Sequence, residues 1–259
     1  MALAERMLLR FCHDPNRKES LGATHHYTIE NALDFPLKMV PDLISRIQGQ
    51  NILDYGCGPG WQAVIMAQKG AESVTGIDIV KSWVDHANGL ASQYCCTEKA
   101  RFLHADEFWA EKQNLNRFDL TFSCGSFEHF SEPEKELERM KQVTRDGGSI
   151  LITFAEPWLS PHGAHMYGMI DIPYINILVP ERVVMSLRSR YKDDGAKHYE
   201  EIQGGLNKMT LKKFERIIRN SGLKVDYLRY TPTKNLPLVD KIPFVREFLV
   251  SAVTCLLRK

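Results

Sequence analysis

From residue 51 onward, hydrophobic positions alternate between short β-type runs and stretches of helical spacing. Asn51-Ile52-Leu53-Asp54 forms an apolar strand that runs into a glycine-rich turn, and 61–69 follows with a helical pattern. Residues 73–77 predict a second strand ending at Asp78, residues 81–93 the next helix, and Arg101-Phe102-Leu103 a third strand. A fourth strand spans 118–122, a charged helix 134–143, and a fifth strand 149–154 after Gly147-Gly148. Strands alternating with helices at this spacing require right-handed crossovers. The pattern therefore predicts a doubly wound, Rossmann-like α/β fold with helices on both faces of a mostly parallel sheet.

The last third breaks the rhythm. Residues 155–180 carry Pro157, Pro161, Pro173 and Pro180, which predicts an irregular insertion after the fifth strand, of the kind that serves as a lid or binding segment. The polar stretch 191–205 reads as mobile. Thr210 is placed to cap a helix that runs to Asn220 and stops at Gly222. Residues 223–230 and the β-branched 250–257 complete a seven-stranded sheet. Near the start, 29–47 reads as a helical lid interrupted by Pro36 and Pro41. The expected organisation is one domain over 1–259: an N-terminal helical lid (1–47), a cofactor-binding core (48–154), a substrate cap (155–205) and the end of the sheet (206–259).

Composition narrows the class. Apolar residues make up 44% and charged residues 25%, which suits a soluble globular chain. The net charge of +1 argues against a dedicated nucleic-acid binder. Six cysteines without a CxxC pair read as reduced thiols in a cytoplasmic setting and exclude a zinc or disulfide framework. The opening MALAERMLLRFCHD has charges inside its apolar run, so it reads as an amphipathic helix and not as a signal peptide. No run of about 18 apolar residues predicts a membrane span. The apolar 166–179, with Tyr167 and Tyr174, suits core packing first, then a substrate pocket or peripheral membrane contact.

The chemistry sits at Leu53-Asp54-Tyr55-Gly56-Cys57-Gly58-Pro59-Gly60, where the first strand meets the first helix. In a doubly wound sheet, ligands bind at the carboxyl ends of the strands, and glycines let the backbone approach them. Asp78 ends the second strand, where a carboxylate can accept bonds from both hydroxyls of a ribose. A dinucleotide is disfavoured because Trp61 stands where GxGxxG has its third glycine. A nucleoside triphosphate is disfavoured because no P-loop lysine follows. Asp54 would repel a pyrophosphate and suits a cation. Ribose, positive charge and no phosphate together describe S-adenosylmethionine.

Five segments in order strengthen this reading. LDYGCGPG, VTGIDI, HADEF, FDLTFSCGSFEHF and DGGSILIT resemble the successive motifs of the class I S-adenosylmethionine-dependent methyltransferases. GLNKMTLKKFERIIRNSGLKV resembles a late segment of their small-molecule branch. The resemblance implies that Gly56, Gly58 and Gly60 bring the loop to the methionine part, with Asp54 near its amino group. It implies Asp78 on the ribose, Ile79 and Trp83 on the adenine faces, and Asp106 at the adenine edge with Ala105 and Glu107. Ser123 would end the fourth strand beside the sulfonium, and Tyr27, by position only, would close over the methionine end.

The acceptor is less legible. Ser123-Cys124-Gly125-Ser126 stands where base-amino methyltransferases carry an NPPY-type motif, so a small-molecule acceptor is expected and no nucleic acid. His129, just past the fourth strand, is the expected general base, and packing or capping is its plain structural alternative. His162 and His165 in the insertion are further candidates; two histidines supply too few ligands, so no metal is expected. A cyclase-like relative and a non-catalytic cofactor-binding module are the alternatives.

Overall fold

A computed structural model of the protein describes residues 3–14, 28–166, 168–202, 204–236, 239 and 242–259. The central sheet has seven strands in the order β3-β2-β1-β4-β5-β7-β6. They are β1 (Asn51–Tyr55), β2 (Ser73–Asp78), β3 (Ala100–His104), β4 (Phe118–Cys124), β5 (Thr144–Ala155), β6 (Lys224–Pro232) and β7 (Val250–Arg258). The first five pair in parallel, and β7 inserts antiparallel between β5 and β6. Strand order reverses between β1 and β4, which opens a crevice above their carboxyl ends.

Period-two burial explains how one strand feeds two layers. Ile52, Phe122 and Leu151 face a core completed by α2 (Asp34–Met39), α3 (Leu43–Ile47), α4 (Trp61–Gln68) and α5 (Lys81–Gln93). Leu53, Tyr55, Ile150 and Ile152 face the other, with α6 (Ala105–Ala110), α7 (Pro133–Val143) and α10 (Leu211–Asn220). Helix α5 buries Val84, Ala87, Leu90 and Ala91, and α10 buries Leu211, Phe214, Ile217 and Ile218, the spacing of one helical face. Thr210 caps α10 by accepting from the Lys213 N–H at 3.1 Å. The doubly wound fold is the one the hydrophobic pattern implied, with strands that extend a few residues beyond the sequence limits.

A third apolar cluster belongs to the insertion. It gathers Met166, Met169, Ile170, Ile175, Val184 and Tyr199 from the loop, α8 (Ile175–Leu178) and α9 (Glu181–Arg188). The end of α1 (Leu3–Leu8) and its continuation pack on it through Leu8, Leu9 and Cys12. The stretch 166–179 thus mainly packs, leaving Ile177 and Leu178 exposed; Tyr167 lies outside the described residues. The polar 191–205, which reads as mobile, is instead tied down. Arg188 forms a two-point pair with Asp194 at 2.7 and 2.6 Å, Tyr191 is buried, and the Tyr199 N–H donates to Glu181 at 2.8 Å. The reading as mobile weighed polarity alone and missed these long-range partners.

The segment read as a lid behaves differently over its described part. Ala32, Leu33, Met39, Val40, Leu43 and Ile47 are buried against one sheet face, and the Met39 carbonyl accepts from Arg229 on β6. Six apolar side chains on one surface need a core to bury them, and α2 and α3 supply no residue to the crevice. Helix α11 (Pro243–Leu249) leads into β7 and is fixed where Glu247 accepts from the N–H groups of Leu211 and Lys212.

Candidate active site

Above the carboxyl ends of β1, β2 and β4 lies a cavity of about 600 Å³, lined by Gly56, Gly58, Asp78, Trp83, Ser126 and His129 among others. The glycine loop is pinned beneath it. The N–H groups of Gly56 and Cys57 both donate to the Ile77 carbonyl at 2.9 Å, and the Ser126 hydroxyl donates to the Gly56 carbonyl at 2.9 Å. Gly56 has φ +79°, and a Cβ there would stand 2.7 Å from Ser126. At Gly58, φ +51°, a Cβ would touch only the Trp83 ring at 3.9 Å, and its backbone lines the cavity. Gly60 has a structural reason of its own: a Cβ would come within 2.5 Å of Ala87, where α4 and α5 meet, and Gly60 does not line the cavity.

Two carboxylates converge under the loop. Asp78 accepts from the N–H groups of Gly58 and Val80, each at 2.9 Å, which holds the loop closed and orients the carboxylate at the cavity. Burial raises its pKa, and those backbone donors counteract the rise. Asp54 is fully buried behind the cavity lining, one residue before Tyr55 which lines it, and its Oδ2 has no hydrogen-bond partner. Burial, then the neighbouring Asp78, pushes its pKa up to about 8. A buried carboxyl oxygen without a partner is costly, and a donor that reaches it removes that cost.

The remaining cofactor candidates separate in space. Ile79, Trp83 and Ala105 line the cavity. The Asp106 carboxylate is 95% exposed, its backbone N–H donates to His104 Nδ1, and Glu107 is also exposed. Both carboxyls stand outside the cavity lining, and only Ala105 of that segment reaches it. Ser123 is fully buried below, and the next residue, Cys124, takes the lining position with its thiol pKa pushed up to about 12 by burial. Tyr27 lies outside the described residues.

His129 does line the cavity, and its Nδ1–H donates to the Gly205 carbonyl at 2.6 Å. His165 comes in from the insertion with its ring centre 5.6 Å from that of His129 and its pKa lowered by burial to about 4. His162 stands apart, in a separate cavity of about 130 Å³ with His13, Ala164 and Met166. The three-residue spacing suggested a pair; the positive φ of His165 turns the chain so that the two rings diverge. Several site residues escaped the sequence reading. Glu128 is buried beside His129, and Glu136 accepts from the Tyr55 hydroxyl and from Arg139 on the cavity wall. Glu128 stood in view within FEHF, but charged residues next to turns are usually exposed, so burial gave no sequence signal.

A glycine loop at the switch point, a carboxylate oriented at the cavity and a second carboxyl buried beneath the loop make up the floor of the site. The chain belongs to the class I S-adenosylmethionine-dependent methyltransferases: the family model described as a methyltransferase domain matches residues 24–228. The cofactor is therefore S-adenosylmethionine, with S-adenosylhomocysteine as its demethylated product. A malonyl-[acyl-carrier protein] O-methyltransferase of Paenibacillus sp. (strain JDR-2) is 32% identical over 46% of this chain and 46% of its own length. A tRNA U34 carboxymethyltransferase of Alteromonas mediterranea is 28% identical over 49% of this chain and 39% of that protein. The chain thus spans less than half the length of these relatives. In fold, it matches an S-adenosylmethionine-dependent methyltransferase of Mesorhizobium loti with a TM-score of 0.57 at 16% identity, over 90% of this chain and all of the other. Among the described residues, no helix is long and apolar enough to cross a membrane.

Asp54 makes the fit to this cofactor testable through pH. The groups facing it are Asp78 and the thiols of Cys57 and Cys124, all of which disfavour its ionisation or stay neutral. Its folded pKa is raised, so the ligand-free fold holds a proton that the unfolded chain has released, and stability falls as pH rises from about 4 to about 8. A cofactor ammonium set against Asp54 would reverse the preference, and binding would then expel that proton. Affinity for S-adenosylhomocysteine is expected to rise by up to tenfold per pH unit between pH 6 and 8, and Asp54→Asn to flatten the profile. The same variant should raise the ligand-free melting temperature by about 2–4 °C for each kcal/mol gained. Calorimetry in buffers of different ionisation heat reads the proton release; a flat profile in the unmodified protein would refute the assignment.

Proposed function

We propose that the protein transfers a methyl group from S-adenosylmethionine to an oxygen of a small-molecule acceptor. The observation that carries this is the continuity of one cavity from the glycine loop and Asp78 to His129. When bound, the cofactor supplies a methyl on a sulfonium: the acceptor oxygen forms the new C–O bond, the S–C electron pair returns to sulfur, and the acceptor proton departs. The protein's part is to hold, align and dehydrate the reactants. Gly56 and Gly58 give the loop its close approach, Asp54 receives the ammonium, and Asp78 receives the ribose hydroxyls. Glu200, Gly204 and Gly205 of the cap close the cavity over His129, the residue placed to promote loss of the acceptor proton.

A small acceptor is supported by the near-neutral charge and by the cap residues Glu200, Gly204 and Gly205 that line the cavity. An oxygen nucleophile is favoured by the imidazole at that end. The test is incubation with methyl-labelled cofactor and, in parallel, hydroxylated metabolites, carboxylated metabolites and bulk tRNA, followed by mass spectrometry. Label in a small hydroxyl or carboxyl compound is the expected outcome. Label in tRNA alone would move the acceptor to nucleic acid. Cofactor binding with an acceptor that is rearranged but not methylated would indicate cyclase-like chemistry.

A further inference from the structure

The turn after β4 buries the carboxyl group of Glu128, which does not line the cavity. Phe127 is fully buried in an aromatic cluster with Phe130, Phe154 and Phe214, which fixes the turn from below. Asn207 fixes it from the side: its Nδ2 donates to the carbonyls of Phe127 and Phe130 at 2.9 and 2.8 Å, and its N–H donates to the Glu128 carbonyl at 2.9 Å. Glu128 is thereby held with only 4% of its surface exposed. Its carboxylate accepts from the backbone at Ala155, yet Oε2 has no partner. A buried carboxylate oxygen in that state calls for an ion or water.

The two histidines complete the arrangement. One nitrogen of His129, one of His165 and a Glu128 oxygen all lie within 4.8 Å of one another. Each ring also donates to a main-chain carbonyl: His129 Nδ1–H to Gly205 at 2.6 Å and His165 Nε2–H to Glu156 at 3.1 Å. In each ring one nitrogen meets a carbonyl, as in metal-binding imidazoles whose second nitrogen is held by the protein. Carbonyl acceptors of this kind orient metal-bound imidazoles. His165 and Glu156 both hold left-handed backbone, φ +53° and +50°, which brings the cap histidine over the β4 turn. Metal–donor bonds of about 2.1 Å put neighbouring donors roughly 3.0–3.5 Å apart, so the side chains need to close by only about an ångström.

We propose that Glu128, His129 and His165 bind a divalent first-row transition-metal ion, with its open positions facing the acceptor end of the cavity. Two imidazoles and one carboxylate suit Zn²⁺, Mn²⁺, Co²⁺ or Fe²⁺ better than a purely oxygen-liganded ion. Resting on the methyl-transfer reading, the ion's use is to coordinate the acceptor oxygen and lower its pKa, so that its proton passes to water and the oxyanion meets the methyl group. Nothing is oxidised or reduced. His129 then acts as a ligand.

The test uses tag-free protein dialysed against chelator. Titration with Zn²⁺ and with Mn²⁺ is expected to show one equivalent bound with low-micromolar or tighter Kd. His165→Ala and Glu128→Gln should each weaken it at least tenfold while retaining S-adenosylhomocysteine binding, which also shows that they are folded. In the Co²⁺-loaded unmodified protein, two shifted exchangeable ring N–H signals are expected by NMR, one per histidine. Absence of stoichiometric binding, equal affinity in His165→Ala, or absence of those signals overturns the site. Metal binding without S-adenosylhomocysteine binding would instead overturn the methyl-transfer reading and leave the site standing. Methylation that survives complete chelation would return His129 to the role of a metal-free base and overturn the metal's part.

Discussion

Replacing Asp78 with alanine is expected to weaken binding of S-adenosylmethionine and S-adenosylhomocysteine by roughly 10²–10⁴. Two hydrogen bonds from ribose hydroxyls to a carboxylate contribute about 1.5–3 kcal/mol each, which converts to that range of Kd. The side chain also holds the N–H groups of Gly58 and Val80, so its loss loosens the glycine loop itself and places the effect toward the upper end. Asp78→Asn keeps the shape and one acceptor oxygen and should fall between the two. Calorimetry with S-adenosylhomocysteine is the measurement, with thermal melting as the control for folding. Unchanged affinity in the alanine variant would remove Asp78 from the cofactor site.

His129→Ala should reduce kcat by about 10²–10⁴ with cofactor affinity unchanged, because in the proposed arrangement the ring meets the acceptor and Asp78 the ribose. The size follows from the proton that an oxygen acceptor must lose as the methyl arrives. Loss of either a base or a metal ligand at that point leaves the nucleophile protonated. The Gly205 carbonyl also loses its donor, which slackens the cap over the cavity. A KM rise alone, with normal kcat, would mean that the ring only shapes the pocket. Near-normal turnover would point to an acceptor that is already nucleophilic without losing a proton, such as an amine.

The fold was legible because each segment advertised its own period. Ile52 and Leu53 alternate faces, α5 and α10 repeat every three to four residues, and the glycines after β1 mark the turn. These are local properties, set by backbone geometry and read within a dozen residues. The same locality made Asp54, Gly56, Gly58 and Asp78 readable, since a loop, its strand and the next strand end stand close in sequence.

What the sequence did not carry was every feature that depends on segments far apart. Asp106 and Glu107 sit beside the third strand as a binding motif would, yet the turn of α6 carries their carboxyls into solvent. His162 and His165 look like a pair, yet the backbone at His165 sends one ring to His129 and the other to a separate cavity. Glu128 lies buried because Phe127 and Asn207 lock its turn inward, contacts with residues far away in the sequence. The sequence by itself determined the doubly wound sheet, the glycine loop after β1 and the two carboxylates beside it, because short-range periodicity encodes them. Only the tertiary structure decided which polar groups are buried together, because desolvation and pairing arise when residues some 40 or 80 positions apart, such as His165, Asn207 and Glu128, close on one another.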